Sequence, residues 1–202
     1  RAQRVQPCQP AYASPGTLSR YGCPVNQTPR RILVTGGAGG IGREVARIAA
    51  DFGMEVLVWN RSPLPEELAP YAAPLDTLLA RSDIVSLHLA DVPETRGFAG
   101  HEFFAAMKRG ALFVNTARGA LVEDGALIDA LSKGQVAHAA LDVFSAEPLP
   151  PNSPYLKLAN VTLTAHAAFK TRRAAANLLQ GGISLAIEQL RKLEGPNPQS
   201  EP

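Results

Sequence analysis

From residue 30 onward, short apolar segments alternate with longer amphipathic ones. Six runs predict strands, namely RILVT (31–35), MEVLVW (54–59), DIVSLHL (83–89), ALFVNT (111–116), QVAHAALDVF (135–144) and NVTLTAH (160–166). The segments between them predict helices over 41–52, 75–81, 101–108 and 123–132, with Gly53 and Gly134 as stops. Strands that alternate with helices and lack outward polar positions predict an α/β fold with a parallel sheet covered on both faces.

The first of these helices shows the clearest helical spacing. Its apolar positions are Ile41, Val45, Ile48, Ala49 and Phe52. Residues at this spacing lie on one side of a helix, which is typical of an amphipathic helix.

The two ends of the chain differ from this central part. Residues 1–29 combine several prolines with many polar residues and predict an extended or disordered segment. Residues 171–193 predict an amphipathic helix with a kink or break at Gly181-Gly182, and the tail GPNPQSEP predicts disorder. The predicted organisation is an irregular segment (1–29), a dinucleotide-binding domain (30–168), and a C-terminal helix with its tail (169–202).

Composition narrows the possible classes of protein. The chain has 202 residues, of which 46% are hydrophobic, and a net charge of +2, so neither nucleic acid nor membrane is an expected partner. Its two cysteines, Cys8 and Cys23, form neither a disulfide framework nor a metal-ligand spacing with histidine, so no metal is expected. This cysteine usage favours a reducing, cytoplasmic location. No apolar run is long enough to span a membrane, and no signal-peptide pattern begins the sequence. The chain begins with Arg rather than Met, which is typical of a processed or cut chain.

A glycine-rich loop follows the first predicted strand and precedes the first helix. Gly37, Gly39 and Gly42 give the pattern G-x-G-x-x-G, with Gly40 and Ile41 inside it. The first glycine permits a tight turn, the second lets the backbone approach a pyrophosphate, and the third allows close helix–strand packing. The helix start adds free N–H groups for the phosphates. The loop therefore predicts a dinucleotide site, against the alternative of a purely structural turn.

The end of the second strand indicates which dinucleotide binds. An acidic residue there would bind the ribose 2′-hydroxyl of NAD, but this chain has Asn60, Arg61 and Ser62. Arg61 can pair with a 2′-phosphate and Ser62 can donate to it, so NADP(H) is favoured and NAD(H) stays the alternative. The simpler interpretation is a solvated surface arginine beside a neutral loop residue.

The glycine loop by itself looks like that of short-chain dehydrogenases, which need a Tyr four residues before a Lys. The four tyrosines of this chain, Tyr12, Tyr21, Tyr71 and Tyr155, are followed at that spacing by Gly16, Val25, Leu75 and Ala159. The catalytic pair of that family is therefore absent.

A longer resemblance covers roughly 30–196. The stretches GGIGREVARIAADFGMEV, SDIVSLHLADVPETRGF, MKRGALFVNTARGALVEDGALIDAL, AALDVFSAEPLP and LANVTLTAH resemble the D-isomer-specific 2-hydroxyacid dehydrogenases, in order and with matching spacing. The resemblance implies a Rossmann-like doubly wound parallel sheet and hydride transfer between NADP(H) and a small 2-oxo or 2-hydroxy acid such as glyoxylate or hydroxypyruvate. It also allows a homodimer.

By this resemblance Arg118 binds the substrate, Glu147 is the carboxylate partner and His166 is the acid/base. Chemistry supports the same roles, because a guanidinium can bind the carboxylate and stabilise charge that develops on the carbonyl oxygen. An imidazolium delivers a proton near neutral pH, and a neighbouring carboxylate favours its charged form. Taken singly, each residue has a simpler interpretation: Arg118 as a surface residue beside a helix, Glu147 as a surface loop acid and His166 as a core histidine.

The resemblance also implies further cofactor contacts. Thr95, Thr116 and Ala117 are expected to line the nicotinamide side, and Asp142 to face the nicotinamide amide, with a strand-end cap as the alternative for Asp142. Three other histidines carry no predicted catalytic role: His88 is expected to be structural or to line the cofactor, His101 to start a helix, and His138 to lie in a strand.

Two departures from the family leave alternatives open. Ala165 stands where members usually have proline before the histidine, and 29 irregular residues precede Arg30 where members have a second domain. The alternatives to an active 2-oxo acid reductase are therefore an NADP(H)-binding or interaction module without turnover, and a different reductase that uses the glycine loop.

Overall fold

The computed structural model describes residues 30–36 and 40–172, together with 174, 176–177, 179–180, 183–185 and 187–188. Several predictions fall outside these residues: those for 1–29 with both cysteines, for Gly37 and Gly39 of the glycine loop, for the Gly181-Gly182 break and for the tail.

Six strands form one sheet in the order β2-β1-β3-β4-β5-β6, and every neighbouring pair is parallel. The strands are β1 (Arg31–Thr35), β2 (Glu55–Trp59), β3 (Ile84–Leu87), β4 (Ala111–Asn115), β5 (Val136–Leu141) and β6 (Val161–Leu163). The chain order reverses beside β1, whose neighbours are β2 and β3. The predicted α/β class with a parallel sheet is confirmed.

Four α-helices connect the first five strands. They are α1 (Gly40–Asp51), α2 (Leu75–Arg81), α3 (His101–Ala106) and α4 (Asp124–Ser132). A short 3-10 turn, Pro154–Lys157, lies between β5 and β6. Gly53 and Gly134, with φ of 76° and 65°, adopt the left-handed conformation that ends a helix, as predicted.

The sheet is packed unequally on its two faces. One face joins Leu33, Val85 and Phe113 to the side chains of α2, α3 and α4 in the larger core cluster. On the other face, α1 covers Ile32 and Val34 of β1. Farther along that face, Leu112 and Val114 of β4 and His138 and Ala140 of β5 are only half-buried, and Thr162 of β6 is exposed. Among the described residues, the predicted cover on both faces is therefore correct at the β1–β2 end and wrong at the β6 end.

Helix α1 packs on the sheet through small residues. Its buried residues are Gly42, Ala46 and Ala49. Of the apolar positions seen in the sequence, Ile41, Ile48 and Phe52 are 69%, 41% and 75% exposed, so they do not form the buried face of the helix. The small residues form the buried face because they let the helix approach β1 and β2 closely. The hydrophobicity of the larger side chains does not indicate this close approach.

Strands β5 and β6 are shorter than predicted. The predicted strand 135–144 ends at Leu141, and the predicted strand 160–166 ends at Leu163. Past these points one backbone hydrogen bond still joins the two segments: the amide of His166 donates to the carbonyl of Asp142 at 2.8 Å. A loop rather than a strand therefore carries the candidate acid/base. At the C-terminus the described positions from 172 to 188 are helical, and Leu179, Ile183 and Leu185 are exposed. None of the helices in the described part of the chain is both long and apolar enough to span a membrane.

The turn after β1 fits tightly against the end of β3. Gly36 has φ of 71°, and a Cβ there would lie 2.4 Å from the carbonyl oxygen of His88. The ring of His88 is largely buried and lies 2.9 Å from the hydroxyl of Ser86. Burial lowers the pKa of His88 to about 4. The expected structural role of His88 therefore has a direct basis in packing.

We predict that Gly36→Ala destabilises the fold far more than Gly53→Ala. Both glycines have positive φ, 71° and 76°, but a Cβ on Gly53 would meet nothing within 4 Å. The control should lose roughly 1–2 kcal/mol for the left-handed conformation, and Gly36→Ala about 1–3 kcal/mol more for the clash. Urea unfolding at constant m-value measures both losses. Equal losses would contradict the packing described for Gly36.

We also predict that His88 makes stability fall on the acid side. Its pKa falls from an unfolded value of 6.5 to about 4, so between these values protons bind preferentially to the unfolded chain. Stability is therefore lost as pH falls from about 6.5 to about 4, by an amount on the order of 3 kcal/mol or less.

The free energy of unfolding, measured against pH, should show a shallower slope in this window for His88→Gln. His101→Gln is the control, because His101 is exposed at the start of α3. A slope that His88→Gln leaves unchanged would show that His88 does not cause it.

Candidate active site

Three neighbouring strands bring the predicted catalytic residues to one edge of the sheet. Arg118 follows β4, Glu147 follows β5 and His166 follows β6. The carboxyl ends of parallel strands meet at the same edge, so residues distant in sequence lie close together there. The loops of the glycine-rich turn and of Asn60 follow β1 and β2 at the same edge.

Glu147 and His166 form a direct pair. Oε2 of Glu147 lies 2.8 Å from Nδ1 of His166, and the two side chains are 36% and 37% exposed. A carboxylate accepts here, so Nδ1 is the donor and Nε2 is the nitrogen that can face a substrate. In the described part of the chain, no hydrogen-bond partner lies at Nε2.

Several positive groups stabilise the charged form of Glu147. The hydrogen bond from His166 lowers the pKa of Glu147 most, followed by the backbone N–H of Phe144, which donates to Oε1 at 2.9 Å. The charge of Arg118 lowers it further. Glu147 is thus held as a carboxylate, the form that accepts a hydrogen bond from the imidazole.

The backbone of His166 is strained and held in place. Its φ of 49° is left-handed, a conformation that costs a non-glycine residue about 1–2 kcal/mol. Its amide donates to the carbonyl of Asp142, and the next two amides, of Ala167 and Ala168, donate to the Asp142 carboxylate at 2.9 Å each. These bonds fix the position of His166 although Ala165 replaces the expected proline.

The carboxylate of Asp142 is almost fully buried and fully bonded. It also accepts from the hydroxyl of Thr164 at 2.5 Å. Burial acts to raise the pKa of Asp142, but the bonds from Thr164 and the two loop amides outweigh it and keep the pKa low. These contacts match the alternative interpretation of a strand-end cap, and the nicotinamide contact of Asp142 stays a prediction.

Arg118 lies exposed at the start of a short turn, and the buried side chain of Asn115 holds its loop. Nδ2 of Asn115 donates to the carbonyl of Arg118 at 2.9 Å, and Oδ1 accepts from the amide of Ala117 at 3.0 Å. The guanidinium donates only to the carbonyl of Ala117, at 2.7 Å, within the described residues. It therefore stays available to bind an anionic substrate.

Two residues that shape this edge of the sheet were not predicted from the sequence. Asn115 has a visible signal, a polar residue at the end of an apolar strand. Gly119 has none: a Cβ there would lie 1.9 Å from the carbonyl carbon of Phe144, so the Arg118 loop rests directly on the segment that leads to Glu147. Only the folded structure shows that contact.

The residues predicted to bind the cofactor lie at the β1–β2 side of the edge. Gly42 is one of the buried residues of α1, whereas Gly40 and Ile41 are exposed at the start of that helix. Nδ2 of Asn60 donates to the hydroxyl of Ser62 at 2.8 Å, and Arg61 pairs with Glu94 at 3.3 Å. A cavity of about 530 Å³ lies beside this loop, and its lining includes Trp59, Asn60, Arg61 and Ser62.

The other predicted contacts lie in the middle of the edge. Thr116 and Ala117 are half-buried between Asn115 and Arg118. Thr95 is buried, and its hydroxyl donates to the carbonyl of Ala90 at 2.7 Å. The roles of these residues toward the nicotinamide stay predictions. No cluster of side chains suited to a metal ion occurs in the described ranges.

Comparison with known proteins shows the family of this chain. Residues 16–168 match the family described as D-isomer specific 2-hydroxyacid dehydrogenase, NAD binding domain. A glyoxylate reductase of Korarchaeum cryptofilum is 47% identical over 141 residues, covering 68% of this chain and 42% of that protein. A glyoxylate reductase/hydroxypyruvate reductase of Mus musculus is 40% identical over 157 residues, covering 72% of this chain and 48% of that protein.

A solved structure shows the same fold. The D-isomer specific 2-hydroxyacid dehydrogenase from Xanthobacter autotrophicus Py2, in complex with NADPH and MES, superposes with a TM-score of 0.63 at 40% identity. The match covers 68% of this chain and 44% of that one, so the chain spans less than half the length of these relatives. The chain belongs to the D-isomer specific 2-hydroxyacid dehydrogenase family and contains its NAD-binding domain.

Proposed function

We propose that this chain carries the cofactor-binding and proton-transfer half of an NADP(H)-dependent reductase of small 2-oxo acids. The observation that carries the proposal is the 2.8 Å pair of Glu147 and His166, with Arg118 on the loop of the strand next to that of Glu147. A base–carboxylate pair beside a free guanidinium suits the reduction of a carbonyl next to a carboxylate.

Each residue has one step in this reaction. NADP(H), if bound at the glycine-rich loop and the loop after β2, would supply the hydride for the carbonyl carbon. Arg118 binds the substrate carboxylate and stabilises the negative charge that develops on the carbonyl oxygen. His166 donates the proton from Nε2 to that oxygen, and Glu147 holds Nδ1 so that the ring is oriented. The product is the 2-hydroxy acid, and the reverse reaction uses His166 as the base.

Glyoxylate and hydroxypyruvate are the substrates we propose to test first. Relatives from Korarchaeum cryptofilum and Mus musculus are named for these acids. Beside the pair lies a cavity of about 630 Å³, lined by apolar side chains such as Phe144, Leu149 and Leu163. An apolar lining strengthens the electrostatic interactions of the pair by lowering the local dielectric constant.

A second candidate is a module that binds NADP(H) without turnover. The observation in its favour is that both members of the pair are more than a third exposed. Water that reaches the pair weakens its interactions, and reductases exclude water from the transferred hydride and proton. A homodimer and a cytoplasmic location stay predictions.

NADP(H) is the cofactor we propose to be preferred. The loop after β2 offers Arg61 and Ser62, and the residue directly after Trp59 is the uncharged Asn60. Both Arg61 and its partner Glu94 are exposed, so this ion pair is weak and a phosphate can replace the carboxylate.

We predict that Arg118→Ala abolishes most turnover. Removing the group that stabilises the developing oxyanion should lower kcat by roughly 10²–10³-fold. The measurement is NADPH consumption by the purified chain with glyoxylate or hydroxypyruvate. Arg109→Ala is the control, because Arg109 precedes β4 and so lies at the opposite edge of the sheet.

Turnover that survives Arg118→Ala would contradict the proposed mechanism. NADPH binding without any turnover by the unaltered chain would instead favour the second candidate.

For cofactor choice, we predict that Arg61→Ala weakens NADPH binding by about tenfold to a hundredfold and leaves NADH binding nearly unchanged, since only NADPH has the 2′-phosphate. Glu94→Gln is the converse variant. It frees Arg61 and should strengthen NADPH binding. Dissociation constants from nucleotide fluorescence titration measure both effects, and equal losses for the two nucleotides after Arg61→Ala would contradict this assignment.

A further inference from the structure

One carboxylate contacts both ends of the loop that carries Glu147. We call residues 145–155 the Glu147 loop. At its start, the hydroxyl of Ser145 donates to Oδ2 of Asp124. At its end, the hydroxyl of Tyr155 donates to Oδ1 of Asp124 at 2.8 Å. Asp124 thereby closes a loop of eleven residues, counting 145 through 155, although it lies 21 and 31 positions from its two partners in sequence.

We propose that Asp124 is a positioning residue of the active site, which acts through Ser145 and Tyr155 to hold Glu147 against His166 and beside Arg118. The inference rests on the proposed function of Glu147. Among the described residues, Asp124 has no hydrogen bond or ion pair with these three residues, so it acts through the loop rather than on the substrate.

Both oxygens of Asp124 are suited to this role. Burial raises the pKa of Tyr155, and the hydrogen bond to Asp124 raises it further, so the phenol stays protonated and remains a donor. Tyr155 is 3% exposed and forms part of the main core cluster, so its ring provides a fixed anchor. Asp124 is the first residue of the nine-residue helix α4, where the helix dipole favours a negative charge.

The contacts continue from this anchor to Glu147. Ser145 follows Phe144, whose amide donates to Oε1 of Glu147 at 2.9 Å. The other oxygen, Oε2, receives the hydrogen bond of His166 at 2.8 Å. A shift of the Ser145 backbone would therefore move the donor of Phe144 and turn the carboxylate away from the imidazole.

The same anchor fixes the loop relative to Arg118. The peptide between Phe144 and Ser145 packs on Gly119, where a Cβ would come within 1.9 Å of the Phe144 carbonyl carbon and 2.4 Å of the Ser145 nitrogen. Asp124 lies five residues after Gly119, on the same segment. One segment thus carries both the substrate-binding arginine and the acceptor of the Glu147 loop.

The test removes the donors and measures Glu147 directly. The variants are Ser145→Ala, Tyr155→Phe and their combination, which keep the size of each side chain nearly unchanged. Ser132→Ala and Tyr71→Phe are the controls: Ser132 donates within α4, and Tyr71 is 43% exposed in the turn after β2. The charged groups that face Glu147 are His166 and Arg118, and none of these variants alters them.

The first readout is the pKa of Glu147, followed by NMR of carboxyl-labelled glutamate and assigned with Glu147→Gln. In the unaltered chain this pKa is low. We expect the double variant to raise it toward the ordinary value of about 4.3, and the controls to leave it unchanged. The second readout is the hydrogen exchange of the Phe144 amide, which should accelerate by about fivefold once its acceptor moves, since a hydrogen bond contributes roughly 1 kcal/mol.

These readouts do not depend on turnover, so the inference and the proposed function can fail separately. A folded double variant in which both the pKa of Glu147 and the exchange of Phe144 stay unchanged would overturn the inference. If the double variant does not fold, the two single variants decide it by the same readouts. Where the chain turns over NADPH, the double variant should lower kcat with little change in KM, because Arg118 still binds the substrate. If the double variant changes only KM and the free energy of unfolding, and leaves kcat unchanged, the role of Asp124 is merely structural. That result would also overturn the inference.

Discussion

The parallel pairing of β4, β5 and β6 is the constraint on which the site depends. The register places Asn115 beside Leu141 and Leu141 beside Leu163, so three strands end at nearly the same height. The loops that follow carry Arg118, Glu147 and His166. An antiparallel strand in this position would move one of these groups to the opposite edge and leave the 2.8 Å pair unformed.

Buried polar side chains at the strand ends then fix the loops. Asn115 binds the backbone around Arg118, and Asp142 binds the backbone around His166. Asp124, which is half-buried at the start of α4, accepts hydrogen bonds from both ends of the Glu147 loop. The buried Asn115 and Asp142 would be costly to bury without their partners, so their hydrogen bonds hold the two loops in place. This accounts for a left-handed His166 that the local sequence does not favour.

The sequence indicates the helices and strands better than it indicates the side-chain contacts between them. Helix 75–81 and strand 31–35 follow directly from apolar periodicity and match the structure. The buried face of α1 does not, because Ala46 and Ala49 pack closest although larger residues lie beside them. The candidate catalytic residues could be identified since they follow predicted strands in a recognisable pattern. The hydrogen bond between Tyr155 and Asp124 joins residues that are 31 positions apart, so no local sequence pattern indicates it.

The most direct test of the central claim, proton transfer by the Glu147–His166 pair, is a single-turnover measurement of NADPH oxidation by excess protein mixed with glyoxylate. The unaltered chain should oxidise NADPH. His166→Gln should slow that step by roughly 10²–10⁴-fold while the dissociation constant of NADPH stays the same. Equal rates in the two proteins, or no oxidation by the unaltered chain, would contradict the account.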